Sequence, residues 1–171
     1  MMPMLSLAAA LFALQSALPS QPSAAERPVI PIEFSGISTS DPPNRPGAWT
    51  VVVARQGGIA GFGRSFVTTT SAGAVTCGGQ PAPCRSTLDQ PELSALSALI
   101  ARSLPIFETS QSTFCSDCAR TFVLLTRRDE AGRLLRHTAS WDVTTQSKVP
   151  ADLVRLVSTT TSNALGRGRG R

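Results

Sequence analysis

Histidine is almost missing from this chain. Of its 171 residues only His137 carries an imidazole. There is no HExxH, no GxSxG and no phosphate-binding loop. A Ser–His–Asp triad would have to use His137. That residue falls in a strand segment, on the same face as Leu135, Ala139 and Trp141, which is the setting of a structural histidine. Carboxylates are also sparse: eleven Asp and Glu are spread over the chain, and the adjacent Asp129 and Glu130 fall in a turn. No acid/base pair stands out. These absences leave no catalytic residue to name, imply no cofactor, and point to a protein that is not an enzyme.

Long apolar runs are missing as well, with one exception. Leu5 to Leu18 (LSLAAALFALQSAL) is almost wholly apolar; Pro19 and Ser20 break it, and Ser23-Ala24-Ala25 follows. A spanning helix needs about 20 apolar residues, so this run is too short. A short apolar core followed by small residues is the pattern of a secretory signal peptide. No Lys or Arg precedes Leu5, so the positive end rests on the amino terminus. No Cys marks the junction, which argues against a lipid anchor. The chain is expected to be secreted or periplasmic, with no membrane contact after cleavage.

Basic charge is concentrated rather than spread. The net charge is +5, and Arg167, Arg169 and Arg171 sit in the last five residues. A nucleic-acid binder spreads Lys and Arg over one face or helix, so no nucleic-acid partner is expected. The GRGRGR tail has nothing apolar to bury and is expected to be disordered.

Four cysteines in an exported chain favour disulfides. Three pairings are possible. Cys77–Cys84 and Cys115–Cys118 are local and form most easily. Loop closure gives each about 2–2.5 kcal/mol, against about 4 kcal/mol for a link from Cys84 to Cys115, so stability alone does not choose. The CxxC also invites a thiol-redox reading. Redox cysteines use a helix N-terminus to lower their pKa, whereas here a strand begins near Arg120. A four-cysteine zinc site needs two closely spaced pairs, and the gap between Cys77 and Cys84 is too loose; no metal site is expected.

The order of elements comes from periodicity and punctuation. Residues 1–25 read as signal peptide and 26–48 as a Pro-rich extended linker, with a short edge strand conceivable over Val29–Phe34. An α+β domain occupies 49–160, and 161–171 is the tail. Trp49–Arg55 is β-branched; Phe62–Thr70 alternates. Ala74–Cys77 extends the meander, and Cys77–Ser86 reads as a Gly/Pro loop. Asp89 and Glu92 form a capping box with Pro91 in the first turn. Leu93, Leu96, Leu99, Ile100 and Leu104 then recur at helical spacing until Pro105. Arg120–Arg128 and Arg133–Trp141 flank a turn at Asp129–Gly132, and Pro150 opens a last helix carrying Leu153, Leu156 and Val157. The expectation is an antiparallel sheet of about four strands with two helices packed on one face, ββαββα.

Four glycines crowd Gln56 to Gly63 (QGGIAGFG). No helix comes after it, so this is no dinucleotide fingerprint. Read alone, it is a hairpin loop that lets a partner approach the backbone closely. The GGxAG at Gly57-Gly58-Ile59-Ala60-Gly61, the LxxLxxLI helix, the strand Arg120–Thr126, Trp141-Asp142 and the closing helix from Pro150 together resemble the emfourin family over residues 49–158. These are small bacterial inhibitors of thermolysin-type metalloproteases. The signal peptide, the two cysteine pairs and the Arg-rich tail depart from that pattern. The resemblance implies a non-enzymatic inhibitor whose partner is a thermolysin-type metalloprotease, contacted through Gly57, Gly58, Ile59, Ala60 and Gly61 and the loop at Cys115–Cys118. The alternatives are an exported structural or interaction domain with no protease target, and a thiol oxidoreductase using Cys115 and Cys118.

Mass spectrometry of the protein recovered from culture should find cleavage near Ala25. An intact Met1 in a cytosolic fraction would sink the export reading and the disulfide argument built on it.

Overall fold

The computed structural model describes residues 34, 37, 39–57, 63–79, 83–107, 110–111 and 117–166. Its elements are β1 (Trp49–Gln56), β2 (Ser65–Thr70), β3 (Ala74–Gly79), β4 (Cys84–Thr87), α1 (Gln90–Ser103), β5 (Ser110–Gln111), β6 (Arg120–Arg128), β7 (Leu134–Asp142) and α2 (Ala151–Gly166). The strands form one sheet in the order β4-β3-β2-β1-β6-β7-β5. Six are antiparallel; the two-residue β5 runs parallel to β7, opposite Ser140 and Trp141. The α+β class, the antiparallel sheet and the two helices match the sequence expectation. The strand count and the ββαββα order do not, because the observed order is ββββαβββα.

Besides the short β5, the uncounted strands are β3, of which only Ala74–Cys77 was expected as an extension of the meander, and β4, which falls in the 77–86 segment whose glycines and prolines read as a loop. β3 and β4 pair antiparallel, with Cys77 opposite Cys84 and the two joined by a disulfide across a Cα–Cα distance of 4.7 Å. The β3 glycines serve close approach. A Cβ on Gly78 would run into the Phe66 ring, and one on Gly79, whose φ is +84°, into the Arg64 carbonyl. Glycine in a strand often marks such contacts.

β1 and β6 form the centre, paired along their length from Trp49↔Arg127 to Gln56↔Arg120. Side chains alternate across a strand, so the pair feeds two cores. Val51, Val53, Val123 and Leu125 face the helices. Val52, Ala54, Phe122 and Leu124 face the other way. Both helices cover the first face. In α1, Asp89 accepts a hydrogen bond from the Glu92 amide (2.9 Å) and Glu92 accepts one from the Asp89 amide (2.8 Å), which seats Leu96, Leu99 and Ile100 in the core. From α2 come Leu153, Leu156, Val157 and Ala164. This helix runs to Gly166, past the expected domain boundary at 160. Its threonines tolerate the helix because Thr160 and Thr161 donate to the Leu156 and Val157 carbonyls, and Ala164 is buried.

The second face is covered by residues read as linker. Phe34 and Ile37 are buried there, Phe34 edge-on to Phe122 at 6.3 Å, and Asp41 pairs with Arg136 at 3.1 Å. Burying each large apolar side chain gives about 1.5–3 kcal/mol, enough to hold the segment against the sheet. Apart from Phe34, the strand expected over 29–34 lies outside the described residues, as do Arg167–Arg171. Among the described residues no helix is long and apolar enough to cross a membrane.

The β6–β7 turn uses Gly132 at φ +76°. Desolvation works against the Asp129 carboxylate there, but hydrogen bonds and charge from Arg133, with the Ala131 amide, outweigh it and hold the pKa below its ordinary value. The contact therefore adds stability above the ordinary carboxylate pKa and loses it as pH falls through the lowered one.

Leu96→Ala should cost about 2–5 kcal/mol by emptying a fully buried position, read by chemical denaturation. Gly79→Ala should also destabilise the fold, since its Cβ has no room. A Gly79→Ala protein as stable as wild type would show that β3 does not depend on that approach.

Candidate functional site

Of the predicted contact residues, Gly57 and Cys118 are described, and both lie at one end of the sheet. β1 ends at Gln56, and Gly57 turns the chain at φ +88°. A Cβ on Gly57 would stand 3.2 Å from the Cys118 carbonyl oxygen. The Gly-rich loop thus starts against the segment that leads into β6. Two loops joined only by inference in the sequence are neighbours in space at this point. Gly58, Ile59, Ala60, Gly61 and Cys115 lie outside the described residues. Cys118 is disulfide-bonded and half-buried.

β2 begins and β3 finishes at the same end, where Ser65 pairs with Gly79. Cys77 comes one side-chain row further in, opposite Val67. Through Val67 that row is level with Val53 near the middle of β1, so the Cys77–Cys84 bridge fastens β4 to β3 at the sheet's flank and lies inward of the Gly57–Cys118 end.

The sequence reading missed the residue that completes this end. β7 stops at Asp142, and the Val143 amide donates to the Ala119 carbonyl at 3.1 Å. Val143 is 61% exposed, a large apolar side chain facing solvent beside Cys118 and Gly57. It is held by the buried Asp142 carboxylate. Asp142 Oδ1 accepts from the amides of Thr144 and Thr145 (both 3.0 Å) and from their hydroxyls (2.6 and 3.1 Å). The D-x-T-T spacing of an Asx-type turn could have revealed this geometry. Arg55 and Arg120 are exposed nearby, with Asp117 as the exposed acid. The result is a rigid apolar point in a basic setting.

His137 is elsewhere. It is half-buried on the helix-covered face, 5.9 Å from the Phe107 ring, and its Nε2 accepts from Arg127 Nε at 3.3 Å. These contacts position a core side chain and present no nucleophile. Among the described residues no cluster of three His, Cys, Asp or Glu side chains could hold a metal ion. At the opposite end of the sheet a cleft of about 430 Å³ opens between Arg45, Trp49, Ser71 and the α1 residues Leu93, Ser94 and Ser97. It contains none of the contact or cysteine residues proposed from the sequence.

Asp142→Ala should lose about 1–3 kcal/mol of stability, because buried donors lose their acceptor. It should also broaden the Val143 methyl signals in NMR spectra. Unchanged methyl spectra in a folded Asp142→Ala protein would show that the carboxylate does not hold this turn.

No family model and no curated protein matches the chain.

Proposed function

We propose that the protein is an exported, non-enzymatic domain that docks a thermolysin-type metalloprotease through this loop end, as the emfourin-like motifs imply. The observation that supports the reading is Gly57 close against the Cys118 carbonyl, because it brings the start of the Gly-rich segment beside the end of the cysteine segment. Val143 adds an apolar anchor beside them. Interfaces concentrate their energy in a few such buried anchors ringed by polar groups. Export is supported by the Cys77–Cys84 disulfide, since disulfides persist in oxidising compartments. The thiol-oxidoreductase alternative is disfavoured by the strand beyond Cys118. β6 begins two residues later, so no helix N-terminus lies immediately past the cysteine to lower its pKa.

The test is inhibition of several thermolysin-type proteases, with melting curves alongside. Wild type should inhibit. Gly58→Val should weaken inhibition through sterics. Val143→Asp should weaken it at least about thirtyfold, the loss of one hot-spot residue, with little change in melting. Leu96→Ala should inhibit in proportion to its folded fraction. Unchanged inhibition by well-folded Gly58→Val and Val143→Asp proteins would remove this surface from the site. No inhibition by wild type would favour an exported interaction domain with no protease target.

A further inference from the structure

The cleft at the far end of the sheet from Gly57 is lined wholly by described residues. One side is the stretch Arg45–Trp49, and backbone bonds fix it. The Arg45 amide donates to the Pro43 carbonyl (2.7 Å) and the Ala48 amide to the Arg45 carbonyl (3.2 Å). The Gly47 amide donates to the Arg128 carbonyl (3.2 Å), and the Arg128 amide to the Ala48 carbonyl (2.8 Å). Gly47 takes φ +73° to make this turn. The first two turns of α1, with Gln90, Leu93, Ser94 and Ser97, form the other side.

The charge in the cleft is unbalanced. Arg45 is exposed, and its side chain has no ion pair among the described residues. Other arginines are matched: Arg102 with Asp152, Arg133 with Asp129 and Arg136 with Asp41. No carboxylate lines the cleft. Asp89 and Glu92, the acids next to it in sequence, bond each other's amides at the start of α1.

The hydroxyls of α1 point the same way. Serine is a poorer helix former than alanine, and several helical hydroxyls here are spent on a carbonyl four residues back: Ser103 on Leu99, Thr160 on Leu156 and Thr161 on Val157. Ser94 and Ser97 make no such bond among the described residues, and both line the cleft. Between these polar groups the lining is apolar, with Pro46, Ala48, Trp49 and Leu93. Small-molecule sites have this make-up, an apolar lining with a few polar groups converging on it, and volumes of about 300–1,000 Å³. This cleft holds about 430 Å³.

We propose that the cleft binds a small organic carboxylate. The Arg45 guanidinium takes the carboxylate through two parallel N–H donors. The apolar body lies against Trp49 and Leu93, and the Ser94 and Ser97 hydroxyls donate to the remaining lone pairs. One cation balances one negative charge, which favours a carboxylate over a doubly charged phosphate. The site does not depend on protease inhibition at the opposite end of the sheet.

The probe is phenylacetate, titrated into the full chain and followed by NMR. Acetate, which lacks the apolar body, and phenylacetamide, which lacks the charge, are the controls. Phenylacetate should shift the amide signals of Gly47, Trp49, Ser94 and Ser97 saturably, with a dissociation constant of about a few millimolar for a ligand of this size. Both controls should bind at least about fivefold more weakly. Arg45→Gln should weaken phenylacetate about fivefold, the worth of one exposed ion pair, and leave phenylacetamide as it was. Ser97→Leu should fill the cleft and abolish binding of both, with the melting temperature kept. Should either variant unfold, the three ligands on wild type still decide. Phenylacetamide or acetate binding as tightly as phenylacetate, unchanged affinity in a folded Arg45→Gln protein, or shifts that do not saturate or that centre elsewhere would each overturn the proposal.

Discussion

The antiparallel pairing of β1 with β6 bears the rest of the molecule. Val51, Val52, Val53, Val123, Leu124 and Leu125 are all at most 1% exposed. Antiparallel sheets commonly leave one face to water; this centre leaves neither. Each face therefore needs a cover. The helices supply one. The other is begun by Phe34 and Ile37 against Val52, Ala54, Phe122 and Leu124. The Arg136–Asp41 contact lies on that same face, so a chain segment with little regular structure becomes part of the core.

Features governed by local rules were legible in the sequence. The capping box at Asp89 and Glu92, the leucine stripe of α1 and the bounds of β6 come from side-chain periodicity and neighbours three residues apart. Features that escaped depended on distant partners. Gly78 and Gly79 read as a loop because their reason for being glycine, the Phe66 ring and the Arg64 carbonyl, lies on another strand. Phe34 and Ile37 were hidden among prolines, since nothing nearby in sequence shows that Phe122 awaits them. The end of α2 escaped because its threonines bond back to the helix itself.

The candidate site divides in the same way. Gly57 and the cysteines were named from their residue types, and glycine's left-handed φ at position 57 supports that choice. The nearness of Gly57 to Cys118 was expected only through a family resemblance; the register Gln56↔Arg120 supplies its physical cause. Val143 was missed because an exposed valine is ordinary until the carboxylate beneath it is seen to fix its position.

The central pairing also sets an order of events in time. A ribosome delivers residues from the amino end, so β1 emerges about seventy residues before Arg120–Arg128, its neighbour in the sheet. The meander β1–β4 and helix α1 are made first, with Val51 to Ala54 lacking one flank. Closing so large a separation in sequence is slow. Throughout synthesis the nascent chain holds its most apolar strand with one edge unpaired, and the hazard ends only when the last third of the polypeptide arrives.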